Sequence, residues 1–123
     1  MIYKTRQFKR WAHKAGLPDH VLYQAVMEIR QGLVDANLGG GIIKKRVALP
    51  GHGKRSSTRT LLATNRNNRW IFVYGFEKNE RANISETELD ALKFLADDLL
   101  TLTEKQISEA VAKGSLLEVI HET

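Results

Sequence analysis

The sequence lacks several residue types and patterns, and each absence narrows the possible functions. It contains no cysteine, which excludes a thiolate nucleophile, a disulfide framework and a cysteine-bound zinc site. No stretch approaches the ~20 consecutive apolar residues of a membrane-spanning helix. The N-terminal segment MIYKTRQFKRWAHKAG also lacks the apolar run of a secretory signal peptide. We therefore expect a soluble, cytoplasmic protein in which residues 1–123 form a single domain.

Motifs for metal and nucleotide binding are missing as well. The chain has neither an HExxH pattern nor a GxxxxGK[ST] loop. Its histidines show no spacing typical of metal ligands; they are His13, His20, His52 and His121. The sequence therefore predicts no metal and no organic cofactor.

Acidic residues are absent from one long segment. Residues 36–76 carry eight Lys and Arg and no Asp or Glu, whereas residues 77–123 carry five bases and eleven acids. The formal net charge of +5 thus combines a strongly basic middle with an acidic C-terminal part. A surface of one sign attracts phosphate groups, so this pattern favours RNA as the partner.

Apolar residues recur with helical spacing near both ends of the chain. One helix is predicted over residues 7–15 and ends at Gly16, and a second begins at Pro18 and Asp19. We expect these helices to form a hairpin. The apolar stripe of the second helix consists of Leu22, Val26, Ile29 and Leu33. Two capping boxes begin further helices, Ser85 with Glu88 and Thr103 with Gln106, and the first of these helices continues its stripe through Leu95 or Ala96.

The glycine-rich residues 37–41 predict a turn. After them, apolar side chains recur at every second position, which is the spacing of a strand. Residues 42–49 then form a strand with one packed and one charged face, and residues 59–64 and 70–76 are predicted as central strands joined by a hairpin turn. The aromatic residues of the last strand share one face, which either stacks RNA bases or packs under a helix; they are Trp70, Phe72, Tyr74 and Phe76. Residues 116–123 are either a frayed end or a short added strand. The predicted class is α+β, a small curved antiparallel sheet with an N-terminal helical hairpin and C-terminal helices.

The order of motifs carries a family resemblance. A basic strand, a glycine-bounded loop and an arginine that opens the next strand, KKRVALPGHGKRSSTR, are followed after a hairpin by VYGFEKNER. This pattern resembles the RelE/ParE superfamily of toxins from type II toxin–antitoxin systems, and especially its HigB-like branch. The resemblance implies a RelE-like fold and an endoribonuclease that cuts mRNA in the ribosomal A site without a metal. It also implies a cognate antitoxin as partner, expected to be a helix-turn-helix protein.

The chemistry implied by the resemblance is attack of a ribose 2′-oxygen on the adjacent phosphate, which gives a 2′,3′-cyclic phosphate and a free 5′-hydroxyl. This reaction needs a base, cations for the charged phosphorane and an acid for the leaving oxygen. Lys54, Arg55 and Arg59 match the basic cluster of the family and are assigned to phosphate binding and transition-state charge. The base is open among Tyr74, His52, Lys54 and Glu80, and Lys78 is a further catalytic candidate. The residues assigned to RNA or ribosome binding are Lys44, Lys45, Arg46 and Arg55.

The chain departs from the family pattern at four places, one of which is His52, where relatives frequently have Lys or another polar residue. Ser56, Ser57 and Thr58 precede Arg59 where relatives often have Gly-Gly, and Asn79 stands in the place of an arginine. No tyrosine follows Tyr74, so the C-terminal catalytic tyrosine of the founding RelE toxins has no counterpart. Two alternatives therefore stand beside the RNase: a ParE-like toxin that poisons DNA gyrase without cutting RNA, and a small non-catalytic RNA-binding protein. The three functions can be distinguished by removing one general base or one cation. For the RNase, this should abolish toxicity while RNA binding persists.

Overall fold

The computed structural model describes residues 1–50 and 57–120. In chain order the elements are β1 (Ile2–Thr5), α1 (Arg6–Ala15), α2 (Asp19–Arg30), β2 (Ala36–Gly39), β3 (Ile42–Ala48), β4 (Ser57–Thr64), β5 (Trp70–Glu77), α3 (Glu86–Thr101), α4 (Glu104–Lys113) and β6 (Leu116–Glu118). The six strands form one sheet in the order β2-β3-β4-β5-β1-β6. Neighbouring strands are antiparallel except β1 and β5, which are parallel. The predicted α+β class and the central strands β4 and β5 are confirmed.

The outer strands differ most from the prediction. Sequence analysis missed β1, which precedes the first helix, and β2, which lies where the glycines predicted only a turn. The turn itself is confirmed at Gly40 and Gly41, whose φ angles of 60° and 83° suit glycine. At the other edge of the sheet, β6 pairs with β1, so the added-strand alternative is the correct one for this part of the C-terminal segment.

Helices α1 and α2 cover one face of the sheet, which we call the α1/α2 face. Phe8 and Ala12 of α1 and the apolar stripe of α2 pack there against Ile43, Leu62 and Phe72. The stripe ends earlier than predicted, because α2 stops at Arg30 and Leu33 is 57% exposed. A glycine with φ 93°, Gly32, follows the helix and turns the chain towards β2. The hairpin arrangement of the two helices stays a prediction.

Helices α3 and α4 lie on the opposite side, which we call the α3/α4 face. Both predicted capping boxes are present at their N-termini. Ala96 and Leu99 of α3 are buried against strand residues such as Ile42 and Leu61. The apolar stripe of α3 thus runs through Ala96, whereas Leu95 is 36% exposed.

The turn between β4 and β5 anchors the helices of the α3/α4 face. The Asn65 side chain accepts hydrogen bonds from the backbone N–H groups of residues 67–69 at 3.0 to 3.1 Å, which shapes the predicted hairpin turn. Arg69 is buried, and its guanidinium donates to the carbonyls of Leu99 and Leu102 and to Glu104. These contacts satisfy carbonyl groups that the end of α3 leaves without helical partners. One arginine of the acid-free middle segment therefore stabilises the fold.

Candidate functional site

A β-bulge in β5 divides the predicted aromatic row between the two faces of the sheet. Leu61 pairs with Tyr74 and Leu62 with Phe72, so Val73 is an extra residue in the strand. Phe72 is buried with Trp70 on the α1/α2 face, whereas Tyr74 packs on the α3/α4 face. The prediction that all four aromatics share one face is wrong, because side-chain alternation restarts after a bulge. The bulge brings Tyr74 to the face that also carries the basic residues of β3 and β4.

Strand alternation places Lys44, Arg46 and Arg59 together on the α3/α4 face, since Ile42 and Leu61 of the same strands are buried there. Arg46 is exposed, and Lys44 and Arg59 are half-buried. Arg46 and Arg59 lie directly opposite each other in the ladder between β3 and β4. Like charges in such a position destabilise a sheet. Two guanidinium groups on neighbouring strands can grip the oxygens of one phosphate, so the pair suits a phosphate-binding surface.

Aromatic side chains border this basic surface on β5. Arg59 pairs in register with Phe76, and the rings of Tyr74 and Phe76 lie 6.3 Å apart between centroids. Phe76 is buried, whereas Tyr74 is half-buried and carries its hydroxyl beyond the ring. The end of β5 therefore presents a phenol on the face of the sheet that also carries Arg59 of β4.

Arg81 follows the turn after β5 and reaches back to the strand. Its Nη1 donates to the Tyr74 hydroxyl at 3.1 Å and to Glu88 Oε2 at 2.9 Å, and its Nη2 donates to Glu88 Oε1. The guanidinium also lies 5.8 Å from the centroid of the Phe76 ring. The Tyr74 hydroxyl donates to Glu88 Oε2 at 3.4 Å. A two-point contact with a carboxylate and an aromatic neighbour hold a guanidinium in one orientation. We call Tyr74, Arg81 and Glu88 the Arg81 cluster.

Glu88 has two roles, because it is also the third residue of α3 in the capping box with Ser85. Hydrogen bonds from Arg81, and then from the backbone and side chain of Ser85, lower the pKa of Glu88 from 4.5 to about 2. The same hydrogen bond raises the pKa of Arg81. The pair therefore keeps both charges at neutral pH, and Glu88 is a weak proton acceptor there.

The lowered pKa of Glu88 predicts an acid-sensitive contribution to stability. A carboxylate with a depressed folded-state pKa stabilises the protein above its unfolded-state pKa of 4.5, and the contribution is lost as pH falls towards about 2. Glu88→Gln keeps a capping side chain but removes the ion pair. We expect its thermal midpoint to fall less steeply than that of the wild type between these two pH values. Glu86→Gln, on the exposed first turn of α3, is the matched control, and equal slopes for all three proteins would contradict the prediction.

The turn after β5 holds two further predicted residues. Lys78 and Glu80 are exposed there, and the backbone N–H of Glu80 donates to the carbonyl of Glu77 at 3.0 Å. Among the described residues, neither side chain forms a hydrogen bond or an ion pair with the Arg81 cluster. Their catalytic roles stay predictions.

Lys45 lies on the α1/α2 face, away from Lys44 and Arg46. It is 7% exposed, its Nζ lies 2.8 Å from Glu28 Oε1, and it donates to the carbonyl of Leu33 at 2.9 Å. These contacts give Lys45 a structural role between β3, α2 and the segment that follows α2. We therefore leave it out of the proposed RNA-binding surface.

The segment between Pro50 and Ser57 connects β3 to β4 at the end of the sheet where Arg46 and Arg59 lie. It contains three predicted site residues, His52, Lys54 and Arg55, which lie outside the described residues. Their assigned roles stay predictions.

Sequence reasoning missed Arg81 and Glu88 as site residues. Arg81 closes the VYGFEKNER motif, and Glu88 was interpreted only as a capping residue. The available signal was their spacing, because an arginine just before a capping box can reach the carboxylate on the first turn of the helix. Within residues 1–50 and 57–120, no three His, Cys, Asp or Glu side chains lie close enough together to hold a metal ion.

The fold and these residues define a small α+β protein whose sheet carries arginines and a tyrosine on one face. The family model described as "RelE toxin of RelE / RelB toxin-antitoxin system" matches residues 1–119. The chain belongs to this family and is a toxin of a toxin–antitoxin system, which confirms the predicted superfamily. Toxins of this family are typically mRNA endonucleases and act with an antitoxin partner. A comparison with curated proteins found no match.

In the part of the chain that the structure describes, no helix is long and apolar enough to cross a membrane.

Proposed function

We propose that this toxin is a ribosome-dependent mRNA endonuclease that cuts by attack of a ribose 2′-oxygen on the adjacent phosphate, without a metal. The observation that carries the proposal is the Arg46–Arg59 pair beside the Arg81 cluster, because these residues bring three guanidinium groups and a phenol to one face of the sheet. Membership of the RelE family supports RNA as the substrate class. The HigB-like sequence pattern of residues 42–81 supports that branch.

Arg59 is assigned to stabilising the negative charge that develops on the phosphorane in the transition state. Its position in β4 fixes the backbone, and a planar guanidinium can grip two phosphate oxygens while keeping its proton at cellular pH. Lys54 of the adjoining segment is assigned to the same developing charge. Lys44, Arg46 and Arg55 bind flanking phosphates, which positions the RNA without entering the chemistry.

Tyr74 is assigned to proton transfer. Its hydroxyl accepts a hydrogen bond from Arg81 and is directed at Glu88, so the oxygen has a defined orientation. Glu88 is a positioning residue, because a carboxylate with a pKa of about 2 removes a proton poorly at neutral pH. His52, Lys54, Lys78 and Glu80 remain candidates for the other proton-transfer step.

The antitoxin is proposed to be a helix-turn-helix protein with an acidic or helical segment that covers the basic surface of Lys44, Arg46 and Arg59. Charge complementarity supports this arrangement, since residues 36–76 contain no acid of their own. The ribosomal target places the action of the toxin in the cytoplasm.

Programmed ribosomes that carry a defined mRNA test the proposal. We expect the toxin to cut within the A-site codon and to leave a 2′,3′-cyclic phosphate. An mRNA with one 2′-deoxynucleotide on the 5′ side of the cut should resist cleavage at that position, because the attacking oxygen is missing. The matched control carries the 2′-deoxynucleotide one codon away and should be cut normally.

Three outcomes would contradict the proposal. Cleavage at the 2′-deoxy position would exclude attack by the 2′-oxygen. Equal cleavage of the mRNA without ribosomes would remove the ribosome dependence. Inhibition of gyrase in a plasmid supercoiling assay without RNA cleavage would favour the ParE-like alternative.

A further inference from the structure

Helix α1 carries its cations on one exposed face. Arg6, Lys9, Arg10 and Lys14 are all exposed and follow the spacing of a single helix face, with His13 among them. The opposite face holds the buried Phe8 and Ala12. Lys113, at the end of α4, lies across a groove of about 970 Å³ that these residues line. The groove is separate from the basic surface of β3 and β4 and contains no acidic side chain among its lining residues.

The charges of α1 oppose the stability of the helix that carries them. Arg6 occupies the first helical position, and the first turn contains no acid, so a cation faces the positive end of the helix dipole. Arg6 with Arg10, and Arg10 with Lys14, are like-charge pairs four residues apart, which destabilise a helix. Within residues 1–50 and 57–120, none of these cations forms an ion pair. A surface that served only solubility would mix both signs, so the arrangement favours an anionic ligand.

We infer that this α1 groove binds the phosphate backbone of double-stranded RNA, of the kind that ribosomal RNA presents. Trp11, the large aromatic side chain in the groove, is already packed at 5.4 Å from the Phe8 ring and covers the backbone of Gly75. The groove thus offers a row of cations around one half-buried aromatic ring that takes part in the packing of α1 on β5. Double-stranded RNA is recognised mainly through its backbone and shape, whereas single strands depend on base stacking.

The topology places the α1 groove at the same end of the sheet as the Arg81 cluster. β1 and β5 are parallel neighbours, α1 begins directly after β1, and Arg81 follows soon after β5. A ribosome can therefore contact the groove with a helix of its RNA while mRNA reaches the α3/α4 face. The inference rests on the proposed RNA target, but it assigns the groove to anchoring and not to cleavage.

The test compares Arg6→Glu with Lys105→Glu in the full chain. Both residues are exposed cations in the first turn of a helix, but only Arg6 lines the groove. Fluorescence anisotropy measures binding to an RNA duplex of about 16 base pairs and to a single strand of equal length, over a range of salt concentrations. We expect Arg6→Glu to weaken duplex binding by on the order of tenfold and to reduce the log–log salt slope by about one or two.

Thermal unfolding separates binding from folding in this experiment. A carboxylate at the first position of α1 suits the helix dipole and pairs with Arg10, so the unfolding midpoint of Arg6→Glu should be unchanged or raised. Lys105→Glu should keep the duplex affinity of the wild type. A falling midpoint that accompanies the loss of binding would mean that Arg6 is structural and would overturn the assignment.

Several results would overturn the inference. They are absence of duplex binding by the wild type, unchanged duplex binding by Arg6→Glu, and equal losses in Arg6→Glu and Lys105→Glu. An equal loss of single-strand binding would assign the groove to mRNA, and loss of antitoxin affinity alone would assign it to a protein. Duplex binding does not require cleavage, so a wild type that binds through the groove but does not cut mRNA would refute the proposed function and leave the inference standing.

Discussion

Replacing Arg59 with alanine is expected to reduce mRNA cleavage by on the order of 10²–10³-fold, about 3–4 kcal/mol of transition-state stabilisation. The reason is that Arg59 extends from a central strand opposite Arg46 and Phe76, so the sheet fixes the backbone that carries its guanidinium. Ribosome affinity should change much less, because one phosphate contact among many is lost. Single-turnover cleavage on programmed ribosomes, ribosome affinity and thermal unfolding are measured together.

A matched control for Arg59→Ala is Arg66→Asn. It removes an arginine of the same acid-free segment from the other end of β4, and asparagine tolerates the left-handed backbone at that position, where φ is 60°. The control should cut mRNA like the wild type. Near wild-type cleavage by Arg59→Ala would show that its catalytic assignment is wrong, and parallel loss of cleavage, binding and folding would make Arg59 a structural residue.

The largest loss of stability is expected for Gly75→Ala. A Cβ atom at this position would lie 2.2 to 2.5 Å from three ring atoms of Trp11, well inside van der Waals contact. If the Trp11 ring moved away from Gly75, it would lose its packing on Phe8, which in turn packs on Phe72 at 5.1 Å. Overpacking of this kind costs roughly 1–3 kcal/mol, and we expect the upper end. Denaturant unfolding at equilibrium gives the free energy of unfolding.

A double-mutant cycle with Trp11→Leu isolates the cause of that loss. If the clash with Trp11 is responsible, Gly75→Ala should cost much less in the Trp11→Leu background, and the two changes should be strongly non-additive. An equal cost in both backgrounds would mean that the strand itself, and not the contact with α1, disfavours alanine.

Local signals predicted the interior of the fold better than its edges. Capping boxes marked the starts of α3 and α4, and runs of apolar residues marked β4 and β5, because these signals lie within the element itself. β1 and β2 have only four residues each, too few to show alternation. Their existence depends on pairing with strands that are distant in sequence, at β5 and β3.

Within the candidate site, too, local sequence patterns could be interpreted but contacts between distant elements could not. Alternation along β3 placed Lys44 and Arg46 on one face and Lys45 on the other. It could not show that Lys45 is buried, because its partners Glu28 and Leu33 come from outside the strand. Arg81 was missed because its role depends on a turn that directs it back to Tyr74. Contacts of that kind follow from tertiary geometry and leave no periodic pattern.

The bulge at Val73 affects how this toxin is compared with its relatives. Phe72 and Tyr74 lie on opposite faces of β5, although they are two residues apart. A relative with one residue fewer at this point would have no bulge. The residue after its counterpart of Phe72 would then lie on the α3/α4 face, as Tyr74 does here, and each later residue would keep its face. An alignment that forbids a gap inside the strand would then match Tyr74 with a residue of the opposite face. Equivalent active-site positions in this family are therefore better identified by the strand ladder than by counting along the chain.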